Sequence, residues 1–217
     1  IKTGSYRALP ALRGYIPKPG KDEKRPLGIP AVEDKTVQKA ITTILEPIYE
    51  QEFYPFSYGF RPELGALDAT RALHEALRDG RIGWIVEVDI RKFFDTLSHK
   101  HLRAFLRQRV RDGVILRLID KWLKAGVLEA GAWQATEEGT PQGGIISPLL
   151  ANIYLHEALD KWYVEEIKAR LKGRSFLIRY ADDFVVGFER EDDARRVMEV
   201  LPKRFARFAL SLNMQKT

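Results

Sequence analysis

The run from residue 176 to 188, FLIRYADDFVVGF, sets two apolar, strand-like segments on either side of the adjacent carboxylates Asp182 and Asp183. Valine, isoleucine and aromatic residues fit a pleated, half-buried surface, so a short acidic break between two such segments predicts a β-hairpin with the aspartates at or beside its turn. Neighbours on a regular strand point to opposite faces, and only turn geometry lets both carboxylates approach one point. Two readings follow for the pair: an exposed turn with solvated acids, or a place to hold a divalent cation. The remainder of the chain has to decide between them.

With 217 residues, 45% hydrophobic and 30% charged, the chain has material for one large domain or two small lobes. Its net charge of +6 and isoelectric point near 9.4 fit a protein that meets a polyanion over a broad surface, and equally a merely soluble basic one. There is no cysteine, which excludes disulfides and thiolate metal sites. His74, His99, His101 and His156 show no metal-ligand spacing and read as surface or satisfied core positions. No apolar run is long enough to span a membrane, and no signal peptide opens the chain, whose first residue, Ile1, points to processing or to a piece of something longer.

Residues 12–30, LRGYIPKPGKDEKRPLGIP, place a turn signal between two short apolar runs and predict a hairpin carrying Lys18, Lys21, Lys24 and Arg25, either a phosphate grip or a solvated edge. A helix begins near Asp34 with Val37, Ala40, Ile41, Ile44, Leu45 and Ile48 as its core face, and Pro47 bends or ends it. The segment FYPFSYGFRP, residues 53–62, is an aromatic, Gly- and Pro-containing loop whose Arg61 is either a backbone-phosphate contact or a structural ion pair. After a helix over residues 65–78, the strand WIVEVDI (84–90) puts Trp84, Val86, Val88 and Ile90 on one face and Ile85, Glu87 and Asp89 on the other. Two acids on one face of an apolar strand are costly unless that face meets solvent or metal.

Packing helices follow around Leu102–Val110 and Val114–Leu123. The turn GTPQGGIISP, residues 139–148, then leads into a long helix reaching about Leu171, and Gly143-Gly144 permits close approach of a ligand or simply a tight loop. Beyond the central hairpin, Ala194, Val197, Met198, Leu201, Phe205 and Phe208 trace one more amphipathic helix, interrupted or not by Pro202. The order predicts an α+β fold, a small antiparallel sheet backed by helices. If the strand ending at Asp89 pairs with the hairpin, three carboxylates converge. Such a set can hold magnesium with water and substrate phosphate, and two ions together can serve an in-line phosphoryl displacement.

The ordered blocks YIPKPGKDEKRPLGIP, SYGFRP, VDIRKFFDTLSH, GTPQGGIISPLLANIYLHEALD, RYADDFVV and LSLNMQKT resemble the reverse transcriptases encoded by bacterial group II introns, also called maturases. The resemblance implies the fingers and palm of a right-hand polymerase, with fingers over residues 1–80 and palm over 81–217, a helical junction near 98–130, and thumb and downstream domains outside the chain. It implies an RNA-directed DNA polymerase using two Mg2+ ions, with Mn2+ as an alternative. Asp89, Asp182 and Asp183 match its catalytic carboxylates, and the carbonyl of Ile90 is a further metal ligand. Lys18, Arg25, Phe94, Gln142 and Lys216 match nucleotide-binding positions, Phe94 as the ring that excludes a 2′-hydroxyl and Lys216 near the pyrophosphate. Arg61, Tyr180 and Gly143 fall near template and primer. The implied partners are an RNA template, a DNA or RNA primer, a deoxynucleoside triphosphate and intron RNA, with no membrane and with a homodimer allowed. The implied setting is a ribonucleoprotein or the nucleoid in bacterial cytoplasm. A CRISPR- or defence-associated relative shares these blocks, while a non-catalytic RNA-binding maturase would need the acids damaged, and they are intact.

Overall fold

The computed structural model describes residues 6–17, 20, 22, 24–140, 143–214 and 217. In chain order the strands and helices are β1 (Ala11–Pro17), β2 (Lys24–Ile29), α1 (Val32–Glu50), α2 (Ala66–Leu77), β3 (Trp84–Asp89), the single turn α3 (Phe93–Thr96), α4 (His99–Arg109) and α5 (Gly113–Lys124). There follow β4 (Val127–Glu129), β5 (Ala132–Gln134), α6 (Ser147–Leu155), β6 (Ser175–Tyr180), β7 (Asp183–Phe188) and α7 (Glu191–Ala206). After α6 the coil continues as π-helical turns His156–Asp160 and Tyr163–Ile167 and a 3-10 turn Lys168–Arg170. Two compact units are each built from separate stretches of sequence: Ile1–Pro47 with Phe94–Leu150, and Ile48–Phe93 with Ala151–Thr217. No described helix is long and apolar enough to cross a membrane.

The first unit holds a four-stranded sheet in the order β2-β1-β4-β5. The expected basic hairpin is present as β1 and β2, antiparallel from Leu12 opposite Ile29 to Pro17 opposite Lys24. The β4–β5 hairpin was not legible in the sequence, because each strand has only three residues and the Ala130-Gly131 turn is its sole local signal. Helix α1 turns a different face inward from the expected one. Ile41 and Leu45 are buried, but Ile44 and Ile48 are 52% and 42% exposed, and Asp34, Gln38 and Thr42 take inward places. Burial of Asp34 and Gln38 is supported by bonding, while the Thr42 hydroxyl has no hydrogen-bond partner: Asp34 accepts from the Tyr6 hydroxyl and the Leu9 amide, and Gln38 Oε1 accepts from the Ile145 amide at 2.9 Å. Pro47 lies inside α1, which runs on to Glu50.

In the second unit β7 is central, with β3 and β6 antiparallel on either side. Alternation along β7 decides the layers. Phe184, Val186 and Phe188 are buried, and Phe184 meets Phe205 of α7 with ring centroids 6.0 Å apart. Helix α7 buries Ala194, Val197, Leu201 and Phe205, the expected face, and Pro202 does not break it. Of the two buried histidines, His99 is satisfied, with Nε2 2.6 Å from the Gly139 carbonyl. His156 has no ring nitrogen within hydrogen-bond distance of a partner, but its Nδ1 lies 3.8 Å from Asp160 Oδ2, where it helps to lower the carboxyl's pKa, and the ring lies against Phe53 and Tyr54.

Candidate active site

Register places the acids. Asp89 ends β3 directly opposite Asp183, the first residue of β7, and Asp183 is in turn opposite Tyr180, the last residue of β6. Residues paired across strands share a face, so Asp89, Asp183 and Tyr180 form one row across all three strands, on the side away from α7. Asp182 stands beside them in the two-residue turn Ala181-Asp182. Asp183 is exposed, while Asp89 and Asp182 are half-buried. This is the hairpin read from the sequence, and the strand face carrying Glu87 and Asp89 is the wetter one, as expected. A groove of about 270 Å³ runs along this face, lined by Glu87, Asp89, Asp183 and Tyr180 together with Thr70 and Leu73 of α2.

Like charges directly opposite in an antiparallel pair destabilise it. The chain reinforces the strand end from behind instead. Asn213 donates its side-chain amide to Asp89 Oδ2 at 2.7 Å and its backbone amide to the Asp89 carbonyl at 2.9 Å, while Ile90 bridges Leu212 and the Arg91 amide bonds the Ser211 carbonyl. Residues 211–213 thus serve as a splint for β3.

The turn has its own support, which the sequence reading did not find. Ala181 has φ of 56°, a left-handed conformation costly for a residue with a Cβ. Arg179, fully buried on the opposite face of β6, sends Nη1 to the Ala181 carbonyl and to Asn152 Oδ1, both at 3.0 Å. Its Nε and Nη2 grip Asp160 at 2.9 and 2.6 Å, and Asp160 is itself fully buried. Burial opposes ionisation of Asp160, but the Arg179 guanidinium overcomes it and holds the carboxyl below the ordinary range. A signal for this existed: Arg179 shares a strand phase with Leu177, and an arginine on a buried phase calls for a buried acid.

The segment 53–62 underlies the same turn. Its backbone pairs with β6, the Tyr58 amide bonding the Arg179 carbonyl at 2.8 Å and the Arg179 amide bonding that of Phe56 at 2.9 Å. A Cβ on Gly59 would stand 2.2 Å from the Ala181 nitrogen, so only glycine fits, and Asn152 donates to the Gly59 carbonyl at 2.7 Å. Of the two readings for Arg61, the structure shows the ion pair. Its guanidinium binds Glu50 at 2.8 Å and the carbonyls of Tyr54 and Ser57 at 2.9 and 2.7 Å, so its donors are spent inside the protein.

Gly143 likewise has φ of 114° and would press a Cβ to 2.9 Å from the Gly28 carbonyl, which accounts for a glycine in a tight loop. Phe94, half-buried, belongs to the first unit, where its carbonyl accepts from the Thr140 amide at 2.8 Å. Arg25 is exposed on β2 opposite Ile16. Lys18, Lys21, Gln142 and Lys216 lie outside the described residues.

A small sheet with a row of carboxylates on one face and helices on the other is the palm of a fingers-and-palm polymerase fold. The family model described as reverse transcriptase (RNA-dependent DNA polymerase) matches residues 16–217, and the chain belongs to that family. Protein YkfC of Escherichia coli is 38% identical, the match covering 100% of this chain and 65% of that protein. The group II intron-encoded protein LtrA of Lactococcus lactis is 44% identical over 81% of this chain and 28% of its own length, which bears out the resemblance to intron-encoded reverse transcriptases. The chain therefore spans less than two thirds of either relative. Among solved structures, telomerase from Candida albicans superposes with a TM-score of 0.69 at 16% identity, covering 99% of this chain and 42% of that one, a likeness of fold.

Proposed function

We propose that this chain carries the catalytic part of an RNA-directed DNA polymerase of the group II intron kind, the unit with the three aspartates acting as palm and the unit with the basic hairpin as fingers. The observation that carries the reading is the placement of Asp89 opposite Asp183 across β3 and β7, with Asp182 in the adjoining turn. That placement costs stability in an apo protein, and a cation bound there turns the cost into affinity.

The kinds of donor suit a hard divalent ion, of the sort reverse transcriptases generally use, because Mg2+ is commonly held by one or two carboxylates together with water and substrate phosphates, although among the described residues no three acidic or histidine side chains stand together as a metal-binding group. Asp89, Asp182 and Asp183, with the Ile90 carbonyl, are the proposed ligands. When bound, such ions supply Lewis-acid stabilisation and make a hydroxyl a better nucleophile. Nucleotidyl transfer joins the primer 3′-oxygen to the α-phosphorus of a deoxynucleoside triphosphate and releases pyrophosphate. The chain's own contribution is to fix negative charge at a set spacing on a splinted strand end and a pinned turn, so little reorganisation is left for the reaction. Tyr180, 37% exposed in the row with Asp183, is proposed to meet primer or template. Lys18, Arg25, Phe94, Gln142 and Lys216 are proposed to hold the triphosphate, with Phe94 excluding a 2′-hydroxyl. RNA template, primer and intron RNA are the proposed partners, in a cytoplasmic ribonucleoprotein.

Primer extension on an RNA template tests the reading. Asp89→Asn or Asp182→Asn should lower extension about a thousandfold or more while the fold persists, since charge is removed and volume kept. Mg2+ should raise the melting temperature of the wild type and not that of Asp89→Asn. Near-normal extension by either variant overturns the assignment.

A further inference from the structure

We propose that Arg179 is a positioning residue for the carboxylate turn, acting through the Ala181 carbonyl with Asp160 and Asn152 as its anchors. The inference rests on the polymerase reading above for its kinetic consequence, though not for its structural one.

An arginine buried completely within a strand is costly unless every donor is met, and mere charge neutralisation would need only Asp160. Here the fork does more. Two nitrogens grip Asp160, and the third, Nη1, is divided between Asn152 Oδ1 and the Ala181 carbonyl at 3.0 Å each. The Ala181 bond spans only two residues along the chain, so it ties the last strand residues of β6 to the first residue of the turn. That residue is the one in the left-handed region, with φ of 56°, and it immediately precedes Asp182. Relaxing Ala181 toward an ordinary backbone angle would re-aim Asp182 and shift Asp183 against Asp89.

Both anchors come from one helical run that departs from α geometry. Asn152 lies in α6, and Asp160 ends the π-helical turn His156–Asp160. Extra-wide turns of this type are uncommon and concentrate at functional sites. Asn152 also donates to the Gly59 carbonyl at 2.7 Å, and Gly59 is the residue whose missing side chain leaves room for Ala181. The turn is therefore held on one side by an arginine fork and on the other by a backbone contact, with Asn152 bonded to both.

The decisive variant is the double change Arg179→Met/Asp160→Leu in the full 217-residue chain, since an apolar pair can replace a buried ion pair without loss of stability. The expected result is a melting temperature close to wild type, kcat for primer extension down about 100-fold with a nearly unchanged KM for the nucleotide, and faster hydrogen exchange at residues 181–183. Wild-type kcat and wild-type exchange in the folded double variant would overturn the proposal, because the ion pair would then be structural only. Should the double variant fail to fold, Arg179→Lys decides. Lysine keeps the charge beside Asp160 and cannot reach Asp160, Asn152 and Ala181 together, so kcat should fall roughly tenfold and turn exchange quicken. Unchanged kcat and exchange in Arg179→Lys overturns the proposal equally. If the wild-type chain extends no primer by itself, the exchange at residues 181–183 still judges the clamp: wild-type exchange in the folded double variant overturns it.

Discussion

Two long hairpins among the described residues are built in opposite ways. In β1–β2 most residues are exposed or half-exposed, six residues join the strands, and Leu12, Tyr15 and Ile16 are more than half exposed. In β6–β7 the strands are mostly buried and two residues join them. Cations proposed to attract a polyphosphate act over about 8–10 Å at ordinary ionic strength, so Lys24 and Arg25 tolerate slack in that role. Carboxylates proposed to share an ion at roughly 2 Å do not. The difference teaches where rigidity is needed: the splint of Asn213 on Asp89, the fork of Arg179 and the close packing of Gly59 all converge on the second hairpin.

The largest break in that contrast comes from glycine substitutions in matched settings. Gly59→Ala puts a methyl 2.2 Å from the Ala181 nitrogen, against backbone that has no rotamer to yield. It should cost about 1–3 kcal/mol of stability and lower extension ~100-fold by shifting the turn. Gly20, in the β1–β2 connection, has φ of 70°, and a methyl there would meet no described atom within 4 Å. Gly20→Ala should therefore cost about 1 kcal/mol of backbone strain and leave kcat untouched. Equal kcat losses at both positions, read against melting temperatures, would erase the distinction between the hairpins.

A smaller effect sharpens it from the other side. Arg25→Ala removes an exposed charge proposed to meet triphosphate, without touching the carboxylate row. KM for the nucleotide should rise roughly tenfold, kcat should stay within about twofold, and the difference from wild type should shrink at high salt. A kcat effect with unchanged KM would place Arg25 in the catalytic geometry and not on a long-range grip.

These contrasts also explain what was legible beforehand. Periodicity exposed both hairpins, α2, α4, α5 and α7, because each carries a sustained apolar face. It misjudged α1, where Asp34 and Gln38 go inward only because loop amides and the Tyr6 hydroxyl come to meet them. The aspartates were visible as charges out of place in apolar strands, and the pairing of β3 with β7 sets Asp89 opposite Asp183. Their supports were not visible, since Asn213, Asn152, Asp160 and Gly59 act through contacts 124, 27, 19 and 93 residues distant in sequence from the partners they bond. In the sequence Arg61 reads as either a phosphate contact or an ion pair, and its guanidinium bonds Glu50 and the Tyr54 and Ser57 carbonyls, contacts that periodicity does not predict.

The smallest effect is a difference in how the two hairpins respond to pH. Asp160 has its folded carboxyl held below the ordinary value of 3.8, chiefly by Arg179 against the opposing effect of burial. Its contribution to stability is complete above that value and is lost as pH falls through the lower, folded one. Tyr15 on β1 is the mirror case. Its hydroxyl donates to Glu129 of β4, and this bond, with slight desolvation, raises its folded pKa above the ordinary 10.0. Stability from that contact is complete below pH 10 and declines as pH rises through the folded value. Acid should therefore loosen the 181–183 turn first, and alkali the β1–β4 junction. Hydrogen exchange followed against pH, corrected for intrinsic rates, reads both. Arg179→Met/Asp160→Leu should flatten the acid response at the turn, and Tyr15→Phe should flatten the alkaline response at β1, the latter weakly because the tyrosine is solvent-exposed. If the double variant loosened at the turn with the same acid dependence as wild type, the Asp160–Arg179 pair would not be what couples pH to the carboxylate hairpin.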